Sequence, residues 1–421
     1  MFMKLKNYFL VTLAIYSLVS CSNDNEFING EIESSNATLS LAVQDNRTTK
    51  SEIKNTEKAD FIKSLTIAVF NVDAYKSKAV NELIICKDTI LQKGNTESIT
   101  EITNIPIRTG NIKVVLFANV SKETFKGKSM LDEFLSTQLS LKNEQNGSLS
   151  MSSGVKTYTL TTGINEIGYN ATTEDKPIAL YRNVARVQLG TLKLIPKDEY
   201  SGNASFVPDS IFIANAKGTT RTASESEWGA VENITNPIYY CGAYPSLTGA
   251  LKNTEATLWE NLYYDLKTPP SQEDLVPNID EKDTEISNSV NCTLTQGSSS
   301  VSKGSTLPLG RFFYVYENMQ ETTNHTLLII RGTYTYESKP GVTITQANRF
   351  YTVTINKQGE SSFDETATSH NYVKRNYFYN VSLTIKGPGS ETPYDPQASA
   401  NVNAQIQVSN WNVINMDEEI N

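Results

Sequence analysis

The sequence predicts an all-β protein made of two tandem antiparallel β-sandwiches. Three observations carry that prediction. Apolar residues recur with a period of two, as in half-buried strands, and only rarely with the period of a helix. Turn residues interrupt the runs at short intervals, as in sandwiches of many short strands. The 421 residues, 38% of them hydrophobic, suffice for two cores of ordinary size.

The elements follow in chain order. Lys4 and Lys6 precede an apolar stretch from Tyr8 to Leu18, which is too short for a stable bilayer span and fits the core of a secretory signal. It ends in Leu18-Val19-Ser20-Cys21, which resembles the lipobox of bacterial lipoproteins; in those proteins the cysteine thiol is acylated and becomes the first mature residue. Several acyl chains hold far better than one, since each buried CH₂ adds about 0.8 kcal/mol. Ser22 to Glu26 continue as a polar, acidic tether, and a short acidic run there is similar to surface-export signals of Bacteroidetes lipoproteins. Loss of residues 1–20 removes two lysines and no acid, taking the formal net charge from -9 to -11.

Ala37, Leu39, Leu41 and Val43 alternate with mostly polar residues and mark the first strand, 37–44. Leu65, Ile67 and Val69 repeat the pattern less strictly. Further strands are expected at 112–118, 184–195, 210–214, 311–316, 326–336, 350–355 and 377–385. Thr109-Gly110-Asn111, Asn146-Gly147, Lys339-Pro340-Gly341 and Gly387-Pro388-Gly389 are the turn signals between them. One short helix is expected within Lys122–Leu141, with Met130, Leu131, Phe134 and Leu135 inward, and another within Thr254–Leu266. Residues 267–290 and 296–305 read as surface loops, and a domain boundary fits near 172–177.

Composition excludes several classes of function. An acidic chain with a pI near 5.1 repels nucleic acid and anionic membrane. Two histidines, His325 and His370, are a thin supply for general-base or metal chemistry, and no cofactor is implied. The cysteines, Cys21, Cys86, Cys241 and Cys292, lie at no zinc spacing. Cys241 and Cys292 share an oxidising compartment and are candidates for a disulfide; two free thiols is the other reading, because Cys86 has no partner once Cys21 is lipidated. Cys86, within Leu83-Ile84-Ile85-Cys86, reads as a small buried hydrophobe rather than a nucleophile. The acidic run Asp280-Glu281-Lys282-Asp283 lacks the ligand spacing of a calcium loop, and no phosphate-binding loop occurs.

Several segments together resemble one family. Leu65-Thr66-Ile67-Ala68-Val69-Phe70, Val114-Val115-Leu116-Phe117-Ala118-Asn119 and Leu149-Ser150-Met151-Ser152 are similar to elements of the N-terminal domain of Bacteroidales fimbrillins, the major subunits of type V pili. Arg182-Asn183-Val184-Ala185-Arg186-Val187, Phe313-Tyr314-Val315-Tyr316-Glu317-Asn318 and Arg375-Asn376-Tyr377-Phe378-Tyr379-Asn380-Val381, leading into Ile385-Lys386-Gly387-Pro388-Gly389-Ser390, resemble the C-terminal domain. Their order covers essentially the whole chain. The resemblance implies transthyretin-like, Greek-key sandwiches and a structural, non-enzymatic role in a surface fimbria that supports adhesion.

It also implies a maturation route. Arg47, in a polar stretch after the first strand, is the only arginine before Arg108; the family pattern places cleavage after it, leaving Thr48 as the new N-terminus. Lys50, Lys54 and Lys58 are the fallback for a lysine-specific enzyme. Release of that strand would expose a groove for its four inward side chains and a row of unpaired backbone groups. The replacement is expected from the other end of a neighbouring copy. Val402, Ala404, Ile406 and Val408 alternate with polar residues, then the phase shifts to Trp411 and Val413. Such a tail is carried by shaft subunits of the family. The alternative is that 401–414 is the last strand of its own domain.

The chain therefore divides into a signal peptide (1–20), a tether and propeptide strand (21–47), an N-terminal sandwich (48–175), a C-terminal sandwich (176–396) and a donor strand (397–421). Expected partners are other copies and related subunits head-to-tail, outer-membrane lipid before processing, an arginine-specific protease, and host or bacterial surface receptors. A rival of another class is a lipid-anchored glycan-binding module of a nutrient-uptake complex, which 21 tyrosines keep open.

Overall fold

The computed structural model describes residues 27–28, 35–44, 61–75, 77–92, 97–144, 148–169, 176–224, 239–241, 244–246, 293–295, 305–319, 325–359, 363, 370–392 and 402–410. In the first half these form β1 (Phe27–Ile28), β2 (Ala37–Gln44), β3 (Ser64–Asn71), β4 (Leu83–Ile90), β5 (Glu101–Ile107) and β6 (Gly110–Ala118). After the short helix α1 (Leu131–Leu135) come β7 (Gln138–Ser140), β8 (Met151–Ser152), β9 (Lys156–Leu160), β10 (Gly163–Ile167), β11 (Ile178–Ala179) and β12 (Tyr181–Arg182). One sheet has the order β1-β4-β3-β6-β8-β12, with β9 also on β6; the other is β10-β2-β11, with β5 on the opposite side of β2.

These two sheets face one another across a core. Leu65, Ile67 and Val69 of β3 and Ile112, Val114 and Leu116 of β6 meet Leu39 and Leu41 of β2 and Ile102, Ile105 and Ile107 of β5. β3 and β6 are buried on their second face as well. There Phe70 and Phe117 pack against Phe125, Leu131 and Phe134 from the segment between β6 and β7. Double burial explains why Leu65–Phe70 and Val114–Ala118 alternate less strictly than β2. Cys86 lies in this second cluster, and burial pushes its thiol up to about 12, so it is no nucleophile at neutral pH. The short helix expected within 122–141 is α1, flanked by two 3₁₀ turns, Lys122–Phe125 and Leu141–Asn143. Met130 caps α1, whereas Leu131, Phe134 and Leu135 point inward.

In the second half the strands are β13 (Val184–Leu194), β14 (Gly202–Ala214), β15 (Ala216–Lys217), β16 (Thr219–Arg221), β17 (Tyr239–Cys241), β18 (Tyr244–Ser246) and β19 (Leu294–Thr295). After them come β20 (Ser305–Tyr316), β21 (Leu327–Lys339), β22 (Val342–Thr354), β23 (Tyr377–Ile385) and β24 (Val402–Asn410). Sheets β20-β13-β23-β24 and β19-β14-β21-β22 enclose one core that includes Val187, Leu189, Ile211, Ile213, Leu328, Ile330, Val381 and Leu383. The expected helix at 254–266, the loops 267–290 and 296–304, and Asn146-Gly147 lie outside the described residues.

Among the described residues, two places depart from purely antiparallel pairing. β2 runs parallel to β10 and β11, and β13 runs parallel to β23. All three parallel pairs join strands remote in sequence, which leaves the long crossover that parallel pairing needs. The chain leaves the first two sheets after Arg182, because β11 still pairs with β2 and β12 with β8.

A buried polar network ties the halves together. β16 pairs with β7, and Tyr316 Oη donates to Glu144 Oε1 at 2.7 Å. Arg375, 2% exposed, donates to Glu317 Oε2 at 3.2 Å, Asn183 Oδ1 at 2.9 Å, Thr220 Oγ1 at 3.0 Å and the Arg221 carbonyl at 3.1 Å. A charge so far from water persists only with such partners.

His370 is buried nearby, with Nε2 2.9 Å from Tyr379 Oη. Burial, then the charge of Lys374, lowers its pKa to about 4. The folded state thus favours the neutral ring, while the unfolded chain protonates near 6.5. The contribution is complete above pH 6.5, is lost as pH falls from 6.5 to about 4, and is constant below. Denaturant titrations across that window will show a steeper fall for the native chain than for His370→Gln.

Candidate functional site

The residues expected to take part in assembly fall on two strands, β2 and β24, with different surroundings. In β2 the small-large alternation Ala-Thr-Leu-Ser-Leu-Ala-Val-Gln sets one face inward. Ala37, Leu39, Leu41 and Val43 are each 5% exposed or less, as the period of two predicts. Full burial of Leu39, Leu41 and Val43 contributes on the order of 5–9 kcal/mol, an upper bound for a compact unfolded state.

β2 is the hub of its sheet. On one side it pairs antiparallel with β5, through Ala37↔Ile107, Leu39↔Ile105 and Leu41↔Ile102. The register shifts between Leu39 and Leu41, where Asn104 takes a positive φ of 56° and its N–H donates to Ser40 Oγ at 3.3 Å. That is a bulge, which relieves the ladder without interrupting the core. On the other side β2 pairs parallel with β10 over Ala37–Leu41 and with β11 at Val43 and Gln44. Among the described residues, β5, β10 and β11 have no other ladder partner.

The ends of β2 are pinned too. Asn36 accepts from Thr109 N–H through Oδ1 at 3.0 Å and from Gly163 N–H through its carbonyl at 3.0 Å. Val43 N–H donates to the Thr100 carbonyl at 2.8 Å, and Tyr169 Oη donates to Glu101 Oε2 at 2.7 Å beside that end. Between β10 and β11 the chain turns at Gly168, φ +83°, where an added Cβ would lie 2.8 Å from the Ala42 carbonyl oxygen.

Among the described residues, β24 is by contrast an edge strand with one ladder. It runs antiparallel to β23, from Ile385↔Val402 to Tyr377↔Asn410. Ala404 and Ile406 are buried in the second core, and Gln405 is exposed. The carboxy-terminal ribbon thus lies on its own sandwich in this structure, the arrangement weighed as the alternative to a free donor. Val402 and Val408 belong to the strand, while Trp411 and Val413 lie outside the described residues. So do Cys21, Arg47, Thr48 and Cys292; Cys241 is in β17.

Sequence reasoning missed that three strands depend on β2. β5 interrupts its pattern with Asn104 and Pro106, and β10 offers only two apolar residues in Gly-Ile-Asn-Glu-Ile. It also missed the network around Glu144, Glu317 and Arg375. The one signal was charged residues embedded in apolar strand ends, as in Tyr316-Glu317 and Arg375-Asn376-Tyr377.

Comparison with known proteins relates this geometry to one group. A family model described as major fimbrial subunit protein (FimA) matches residues 37–185, beginning at the first residue of β2. A second, described as the C-terminal domain of a Fim1C-like fimbrium tip subunit, matches residues 276–412, through β24. The major fimbrium subunit FimA type-2 of Porphyromonas gingivalis is 23% identical over 97% of this chain and 98% of its own length. A protein provisionally named fimbrium tip subunit Fim1C, from Parabacteroides distasonis, is 25% identical over 91% of this chain and 87% of its own. The crystal structure of a fimbrilin (FimA) from Porphyromonas gingivalis W83 shares the fold, with a TM-score of 0.54 at 21% identity, covering 91% of this chain and 99% of that one.

The two faces of β2 differ in what they hold. Leu41→Ala will lower unfolding free energy in denaturant by about 2–5 kcal/mol, because the cavity sits between two sheets. Thr38→Ala, on the other face, will change it by no more than about 0.5 kcal/mol.

Proposed function

Because the chain belongs to the Bacteroidales fimbrillin family, we propose that it is a shaft-forming fimbrial subunit that is exported as a lipoprotein through Cys21. It is then cut after Arg47 and polymerised by strand exchange. Its role is structural rather than catalytic, and it acts at the cell surface in a fimbrium that supports adhesion. The observation that carries this reading is the position of β2: an amino-terminal strand, followed by an arginine-bearing polar segment, at the centre of a sheet whose other strands all pair with it.

A strand so placed serves as a placeholder. Its departure leaves one strand width with a ladder on each side, bordered by Ile105 and Ile107 of β5 and opening onto the core that holds Leu65 and Ile67 of the facing sheet. The β24 segment supplies the same spacing of apolar residues, Val402, Ala404, Ile406 and Val408, and neutral amides at Asn403, Gln405 and Gln407. Being an edge strand, it leaves its own sheet at the cost of one ladder, whereas β2 leaves at the cost of two. The segment before β24 starts beside Ile385, at the end of β13 away from Arg182. A neighbour's tail reaching the vacant site gives a head-to-tail contact that does not close, hence a filament. Before processing the lipid holds the precursor on the outer membrane.

A second reading is a tip subunit, favoured by the match of residues 276–412 to a tip-subunit domain. There β24 stays on its own sheet and offers nothing to a further copy. Cells carrying Arg47→Ala or a deletion of residues 401–421 separate the two. For a shaft subunit both changes abolish fibres containing this chain, and immunogold label on native fibres runs along their length. Label confined to fibre ends, with the deletion harmless, would establish the tip reading.

A further inference from the structure

Resting on that placeholder reading, we propose that departure of β2 does not leave an open groove: β10 closes onto β5 and seals the sheet with a weak plug until an incoming strand displaces it. The registers of the two ladders align. Gly163, Ala37 and Ile107 form one row across the sheet, Asn165, Leu39 and Ile105 the next, and Ile167, Leu41 and Ile102 the third. β10 is parallel to β2 and β5 antiparallel to it, so β10 and β5 are antiparallel to each other. A shift of about one strand spacing, ~4.8 Å, brings them into pairing. Without it both strands carry unpaired backbone donors and acceptors along an edge, an invitation to aggregate.

Both ends of β10 allow the shift. Gly163 opens it and Gly168 follows it, at φ +97° and +83°, and the preceding strand β9 is anchored separately on β6. The turn at its start is held within itself, since Asn165 Nδ2 donates to the Thr161 carbonyl at 2.9 Å and its Oδ1 accepts from Thr161 N–H at 2.9 Å. It therefore travels as a unit.

The side chains make the closed state temporary. In register, β10 offers Gly163, Asn165 and Ile167 where β2 offered Ala37, Leu39 and Leu41, so one large apolar group replaces two. The other face carries Ile164, 77% exposed, and Glu166. A one-residue slip would bring Ile164 inward only together with Glu166, which forbids it. β10 thus satisfies the ladder but underfills the core. A strand with four apolar residues at a spacing of two fills both, and so displaces it.

Ile164 and Pro106 report on closure, for both pair with Thr38 from opposite sides. In the intact chain their Cα atoms are two strand spacings apart, roughly 9.5 Å, beyond disulfide reach. The full chain carrying Ile164→Cys and Pro106→Cys, with a sequence-specific protease site engineered after Gln44, is oxidised with copper phenanthroline before and after the cut. Peptide mapping is expected to find the 106–164 bond at background level before, and in most molecules once the amino-terminal fragment has left. An excess of peptide 401–414 should return it to background. Departure of the fragment with no such bond overturns closure alone. A fragment that stays bound after the cut overturns the placeholder reading and closure with it. Hydrogen exchange on the cut chain without the cysteines gives an independent readout: persistent protection of amides in 101–107 and 163–167 is expected, and full exchange in both contradicts closure.

Discussion

The first sandwich depends on one strand. No ladder of its four-stranded sheet omits β2, and the inward side chains of β2 fill the gap between that sheet and β3–β6. Those side chains contribute on the order of 5–9 kcal/mol, against a net stability of about 5–15 kcal/mol for a typical domain. A body of this kind does not stay folded long with the place empty. Either the original strand holds it, or another does.

The two ends of the chain share a pattern and differ in commitment. Both β2 and β24 alternate apolar and small polar residues over eight or nine positions, and both bury part of that alternation in a core. β2 is enclosed on two sides and β24 on one. That asymmetry, rather than composition, makes β2 costlier to remove from its sheet than β24. The network of Glu144, Tyr316, Glu317 and Arg375 holds the two sandwiches together away from either strand, so a change at one strand need not loosen the joint.

Much of this was legible because strand burial writes a simple period. The bounds of β2 and β23, 37–44 and 377–385, coincide with the apolar alternation. The doubly buried β3 and β6 were legible as strands through a looser alternation at Leu65, Ile67 and Val69 and through the largely apolar segment 112–118. What was not legible had no such signal. β5 carries a bulge at Asn104 and a proline, and β10 is nearly polar, so neither looks like the flank of a central strand. Parallel pairing of β2 with β10 joins residues more than a hundred apart, which local periodicity does not encode. The pairing of buried Glu317 with Arg375 joins residues 58 apart, and only the fold brings them together. The short helix expected within 122–141 is there as α1, with Leu131, Phe134 and Leu135 inward, while Met130 lies at its N-cap, since the helix starts one residue later than its apolar pattern.

The most direct test of the central claim is a cryo-EM map of filaments assembled from this chain, traced through the sheet that contains β5 and β10. The account predicts residues 402–410 of one subunit lying between residues 101–107 and 163–167 of the next, with residues 37–44 gone. Density for residues 37–44 still seated there, and residues 402–410 still paired with residues 377–385 of their own subunit, would contradict it.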